Sequence, residues 1–465
     1  LRCFGFLLLI IAAPSSNLSA RTPRGNSLNQ PKNSSNVISV KDHGANGDCA
    51  DPHDDTLALI AAAAAVNTAP KPATLYFEKG CYYMNPLKAV RAGSLEWYGL
   101  DISADNVTIT GPGVLGLLPG HDYSAELRVP SGTTAYWFFF RCRASHFKLD
   151  SLTVSNGPNL TKTGPYTSGP GNFWACGVKA TKRIDGNYGK KNSVVNCKFL
   201  NLGGWAALFE YQENAILTNN YATQSEGIGF GAAVLYGQIV HNMSKRALDA
   251  HYFANGAVVN GVHLPNEHIL IESNIADGNS NGSGIDVTDS AFVTVSNNLV
   301  RNNQNWCILI DKTNGPFKSA ATDQPAVHVT LTGNRCVNNG NYQGWNDNSE
   351  IAVGDVNPSL KPGRAAQWIN VSKNIITTQN NQGIGVETAW GVSHVRISGN
   401  QISGCGSHTD PCAYPASDVI RVMDRNGEYI SIIGNRQDSK YTGKIYLGGS
   451  GPYQLLRNNM GLLRK

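Results

Sequence analysis

The chain has 465 residues, 41% of them apolar and 15% charged, with 49 glycines and a formal net charge of +5. That length and apolar content support a large buried core and exclude an intrinsically disordered chain. The mild positive charge permits an acidic partner, but no dense Lys/Arg run points to nucleic acid.

Arg2 precedes an apolar run from Phe4 to Ala13, and small residues follow up to Leu18-Ser19-Ala20. This is the layout of a secretory signal peptide over residues 1–20, too short to span a bilayer. Residues 21–37 read as a flexible segment and 38–465 as one domain. No later apolar run reaches transmembrane length, so a secreted protein, extracellular or periplasmic, is expected. The ten cysteines agree with export. Cys3 leaves with the signal, and an odd number remains, so at least one thiol stays unpaired. Cys49 and Cys81 flank the first predicted helix, Cys307 and Cys336 fall on adjacent repeats, and Cys405 and Cys412 are close enough for a small loop. No Cys/His spacing suggests zinc, and neither a metal nor a cofactor is expected.

Asp54-Asp55-Thr56 begins an Ala-rich run to Ala65, and the Asp or Thr side chains suit a helix start. Thr74-Leu75-Tyr76-Phe77 then reads as a strand, followed by Gly80. Residues 38–84 are therefore expected to form an N-terminal cap with one helix. Beyond it a pattern recurs: apolar, any, apolar, two residues, Asn. It appears as Ile269 to Asn274, Val293 to Asn298, Val329 to Asn334, Ile369 to Asn374, Val395 to Asn400 and Ile430 to Asn435. Looser copies end at Asn220, Asn242 and Asn458. Each copy alternates apolar and polar residues, as a strand with one buried face does. A second short apolar strand usually follows, as in Gly284-Ile285-Asp286-Val287. Short strands at a period of roughly 20 to 40 residues, with no helical pattern between them, predict an all-β solenoid. The specific expectation is a right-handed parallel β-helix of about ten coils. The repeated Asn is expected to form an inward ladder at a turn, where Asn also tolerates left-handed backbone.

Val40-Lys41-Asp42-His43-Gly44-Ala45-Asn46-Gly47-Asp48, the helix after Asp54-Asp55-Thr56, Leu75-Tyr76-Phe77 and Gly80-Cys81-Tyr82 together carry a resemblance. This opening resembles that of the pectate-lyase-like right-handed β-helix superfamily, which includes polygalacturonase relatives, tailspike depolymerases and many secreted polysaccharide-cleaving enzymes. The resemblance implies the fold and a polysaccharide substrate, and it makes Asp42 to Asp55 cap structure. It does not fix the reaction, because function lives in sites grafted on a fold. The Asn-Thr-Asp, paired-Asp, Gly-His-Gly and Arg-Ile-Lys series of polygalacturonases is not found. Asp51-Pro52-His53 lies in the cap and is not taken as an epimerase motif.

Aligning the strand after each Asn turn gives buried pairs Ala207/Phe209, Ile228/Phe230, Leu248/Ala250, Ile285/Val287, Ile308/Ile310, Ile384/Val386 and Ile420/Val422. One outward column then reads Leu208, Gly229, Asp249, Asp286, Leu309. The next reads Glu210, Gly231, His251, Thr288, Asp311, with Tyr252, Asp289 and Lys312 just beyond and Glu387 further along. Asp249, Asp286, Asp311 and His251 are the candidate catalytic residues. Asp249 and Asp311 would lie two coils apart, roughly 10 Å. Carboxylates at about 6.5–9.5 Å suit inverting glycoside hydrolysis, in which one stays protonated for the leaving oxygen and the other activates water. Lys245, Arg246, Tyr252, Glu210, Asp289 and Lys312 are candidate substrate-binding residues. Trp205, Trp306, Trp345 and Trp390 are candidates for stacking on sugar rings, and insertions over 156–192, 253–268, 313–327 and 337–364 for walling the groove. The favoured function is a secreted, monomeric hydrolase of polysaccharide glycosidic bonds. The alternatives are a lyase or C5-epimerase, using Lys245 or Arg246 as base with Tyr252 or His251 as acid, and a non-catalytic glycan-binding or matrix-assembly protein.

Overall fold

The structure is a computed structural model. It describes residues 36–464 except 50–53, 86–87, 89, 93–95, 113–124, 130–135, 157–173, 260–261, 280–281, 312–324, 340–348, 355–365, 379–381, 388–391, 404–417, 424–428, 438–442, 448–453 and 460–461. The expected signal peptide, Lys312, Trp345, Trp390 and the Cys405/Cys412 loop lie outside the described residues.

The chain begins with a cap. Helix α1 (Thr56–Thr68) buries Leu59, Ala62, Ala63 and Val66, three or four residues apart, on the face turned to the core. Asp54, one residue before the N-cap Asp55, accepts the Thr56 N–H at 3.0 Å. Asp55 accepts the N–H groups of Asn46 and Tyr83 at 2.6 and 3.1 Å, tying the loop before the helix to the strand Gly80–Tyr83. A disulfide joins Cys49 to Cys81 across the same loop. The paired acids therefore build the cap.

From there the chain winds through three parallel sheets, and it is a right-handed β-helix. Inward residues stack coil on coil. Ile269 and Ile271 pair with Val293 and Val295, these with Val329 and Leu331, and these with Ile369 and Val371. All are buried in one continuous core. The second sheet has 12 described strands, one per coil, more than the roughly ten expected from the Asn repeats. The difference arises in the early coils, which place Leu152 and Cys197 where later coils place Asn, so the repeat does not mark them.

The Asn ladder runs Asn220, Asn242, Asn274, Asn298, Asn334, Asn374, Asn400, Asn435, Asn459. Its last rung is Asn459, not Asn458. The left-handed residue is the one before each rung: Asn219, His241, Ser273, Asn297, Lys373 and Asn458 all have φ between 52° and 57°. Asn458 takes that turn position, and its neighbour takes the ladder. The expectation that the ladder Asn itself adopts left-handed backbone is thus corrected by one residue.

A second ladder lies outside the first sheet. Tyr236, His268, Phe292, His328, Trp368, His394 and Tyr429 each have φ between 54° and 59°, which turns their side chains outward at a corner. Their rings stack in sequence at centroid distances of 3.9–5.8 Å. The rings cover each other's faces and present their edges to solvent.

A disulfide also joins Cys307 to Cys336 on neighbouring coils. Cys142, Cys176 and Cys197 are buried. Both disulfides fit an oxidising compartment. Among the described residues no helix is long and apolar enough to cross a membrane.

Candidate active site

The third sheet carries the candidate site. Its outward column reads Arg141, Lys179, Leu208, Gly229, Phe253, Asp286, Leu309, Ala352. The alignment expected from sequence holds at Leu208, Gly229, Asp286 and Leu309. It fails by four residues in one coil, where Phe253 stands in place of Asp249. The chain there bends through residues 248–251 before the strand Tyr252–Asn255 begins, and Tyr252 and Ala254 are the buried pair in place of Leu248 and Ala250.

Asp286 therefore has Phe253 and Leu309 as its column neighbours, and both are buried. Its own surface is partly open, but Oδ1 is shielded and has no hydrogen-bond partner among the described residues. Burial and, next, the negative charge of Asp249 raise its pKa to about 7, against a lowering by a hydrogen bond from Ser283. Asp249 is exposed on the bend of the preceding coil. A Cβ at Gly282 would lie 2.6 Å from Asp249 Oδ1, so only glycine allows this approach. The bend thus delivers Asp249 to Asp286 although the two are not in one column.

Asp311 lies on the next coil beside Thr288, in the expected register, but it is buried and not exposed as expected. Glu210 stands three coils before Asp286, about 14 Å away, with its Oε2 3.5 Å from Lys179 Nζ. Asp289 is buried at the corner just after strand Ile285–Thr288 and meets His263 Nε2.

Four further residues stand elsewhere than expected. His251 points into the coil, not out of it. Its Nδ1 lies 2.8 Å from Ser244 Oγ and its Nε2 2.9 Å from Asn303 Oδ1. Because that amide oxygen only accepts, Nε2 carries the proton, and burial lowers the pKa to about 4. The neutral ring heads a second interior ladder that continues through Asn303, Asn339 and Glu350 at 2.8 and 2.7 Å. Tyr252 is also interior, its hydroxyl donating to Ile275 O at 2.8 Å. Lys245 and Arg246 belong to the strand Met243–Ala247 of the second sheet, where Lys245 pairs with Asp277. They lie around a corner from Asp286.

Sequence reasoning did not single out His263 or Glu350. Glu350 is fully buried, and burial raises its pKa to about 8 against hydrogen bonds from Asn339 and Thr378. Its carboxylate and the sulfurs of Cys307 and Cys336 lie within 4.8 Å of one another, with the sulfurs bonded together. Trp306 packs with Leu309 and Ala352, and Trp205 with Leu208 and Phe253, on the outward side of the third sheet.

Comparison with known proteins agrees with this architecture. A profile of the right-handed β-helix region matches residues 180–322. The A-module of an Azotobacter vinelandii mannuronan C-5 epimerase is similar at 16% identity and TM-score 0.67, covering 92% of this chain and 99% of that one. The catalytic unit of a Streptomyces thermodiastaticus α-1,3-glucanase is similar at 16% identity and TM-score 0.64, covering 92% and 69%. A DFA-IIIase from Arthrobacter chlorophenolicus is similar at 13% identity and TM-score 0.58, covering 88% and 96%. The shared feature is the fold. No curated protein sequence matches the chain. The similar structures are carbohydrate-active enzymes of several chemistries.

Proposed function

We propose that this protein is a secreted enzyme that hydrolyses glycosidic bonds of a polysaccharide, with Asp286 as the proton donor to the leaving oxygen. The observation that carries the reading is the Asp286 carboxyl on the outward column, flanked by Phe253 and Leu309 and faced by Asp249. A pKa of about 7 keeps a large share of Asp286 protonated at neutral pH, as a general acid requires. Asp249, exposed and charged, helps to hold that proton in place. It also stabilises the positive charge that develops at the anomeric carbon. Arg141 and Lys179, further up the same column, are paired with Asp101 and Glu210.

The test is product analysis by mass on a panel of acidic and neutral polysaccharides. Hydrolysis gives fragments that have gained one water. A second reading, a lyase or C5-epimerase acting on uronates, is supported by the similarity to the mannuronan C-5 epimerase module. It predicts a product that absorbs in the ultraviolet, or inversion without cleavage. Glycan binding with no product from any polymer would support the non-catalytic alternative.

A further inference from the structure

The chain leaves the third sheet after Tyr252–Asn255 in an antiparallel hairpin, Ala257–Val259 with Val262–Leu264. The returning strand brings His263 to Asp289 on the next coil, and His263 Nε2 contacts Asp289 Oδ1. The two side chains differ sharply in exposure. Asp289 is 0% exposed and His263 33%. Gly256 permits the approach of the two coils, since a Cβ there would lie 3.0 Å from Asp289 Cβ and Cγ. A buried carboxylate that accepts Nε2–H fixes one tautomer and one ring orientation. It leaves Nδ1, the lone-pair nitrogen, on a ring that solvent reaches. That is the arrangement of an oriented base, and a surface ion pair does not need it.

Its position ties it to the groove. Asp289 follows Asp286 by three residues along one strand and its corner, about 10 Å at 3.3 Å per residue. This puts the His263–Asp289 pair at the end of the strand that carries Asp286, and an inverting displacement needs a base about 6.5–9.5 Å from its proton donor. We propose that His263 is the water-activating base of the site, with Asp289 as its positioning residue. This rests on the assignment of Asp286 as the acid. In the step, a water oxygen bonds to the anomeric carbon while its proton passes to His263 Nδ1. The bond to the leaving oxygen breaks, and that oxygen takes the Asp286 proton. Solvent then carries the proton from the imidazolium back to Asp286. The product is inverted.

Two measurements on the full-length protein test this. The first needs no substrate: ¹⁵N chemical shifts of His263 should show the Nε2–H tautomer in the wild type and a mixture of tautomers in Asp289→Ala, which removes the acceptor. An Nδ1–H tautomer in the wild type, or shifts unchanged by Asp289→Ala, overturns the dyad. The second uses a polysaccharide that the wild type cleaves. His263→Gln should lower kcat by about 10²–10⁴-fold with little change in KM, and added azide should restore turnover as an inverted glycosyl azide. A merely structural His263 would give no such rescue. Full activity in His263→Gln, or retained anomeric configuration in the wild-type product, overturns the proposal. If Asp286→Asn is fully active while His263→Gln is not, the acid assignment fails and the histidine stands as a base.

Discussion

Asn298 Oδ1 accepts hydrogen bonds from both the backbone N–H and the side-chain amide of Asn274, at 2.9 and 3.0 Å. The Asn298 amide in turn donates to Ile271 O at 2.9 Å and to Asn334 Oδ1 at 2.9 Å. Replacing Asn298 with Ala leaves buried partners on both sides unsatisfied, at about 1–3 kcal/mol for each group left without a bond. Asn298→Ala should therefore lower Tm markedly. Asn459→Ala, at the last rung, should cost less because Asn459 is only partly buried. Thermal unfolding by circular dichroism checks both, and equal losses at the two positions would contradict a ladder strongest in its middle.

Glu350 is a buried acid inside the coil, with its pKa raised to about 8 from the ordinary 4.5. The folded chain then holds this proton over a pH range in which the unfolded chain has lost it. Stability falls as pH rises from about 4.5 to about 8. Glu350→Gln keeps the hydrogen-bonding shape without the proton to lose. The variant should be more stable than the wild type at pH 9, by on the order of a few kcal/mol, and differ little at pH 4. Urea unfolding at the two pH values measures this.

Trp368 stacks between His328 and His394 at 5.8 and 3.9 Å on the exposed aromatic ladder. Aromatic pairs contribute about 0.5–1.5 kcal/mol each beyond area burial. Trp368→Ala should thus destabilise by about 1–3 kcal/mol, with no loss of turnover, since the ladder lies on the first sheet and the candidate site on the third. Paired unfolding and activity assays test the separation.

Much of the fold was legible because the Asn turn and the alternation of Ile269, Ile271, Val293 and Val295 repeat with fixed spacing inside each coil. The same logic located Asp286 and Asp311, which sit at regular positions of regular strands. It misplaced Asp249, His251 and Tyr252 because their coil inserts a bend between Ala247 and Tyr252, and a bend has no periodicity to read. Leu248 and Ala250 imitate a buried pair there. His263 was invisible for a different reason. Its partner Asp289 is near in space only because a hairpin folds back across one coil. One signal was available: in the true column Asp286 stands between Phe253 and Leu309, an acid between two apolar residues.

Asp286 also has a cost for the fold. Its pKa of about 7, against the ordinary 3.8, means the folded state binds the proton more tightly than the unfolded state. Stability attributable to this group falls as pH rises from about 4 to about 7 and stays low above that. Asp286→Asn should raise Tm at pH 8 and leave it nearly unchanged at pH 3.5, the trade of stability for function expected at an active site. A lower Tm at pH 8 would show that the carboxylate is well accommodated when charged.

The most direct measurement is turnover of Asp286→Asn beside wild type, on whichever polysaccharide the wild type cleaves, with products read by mass. The account predicts wild-type fragments that have gained one water, and a variant that folds normally and turns over about 10²–10⁴-fold more slowly. Near-normal turnover in Asp286→Asn would contradict the claim that this carboxyl supplies the proton.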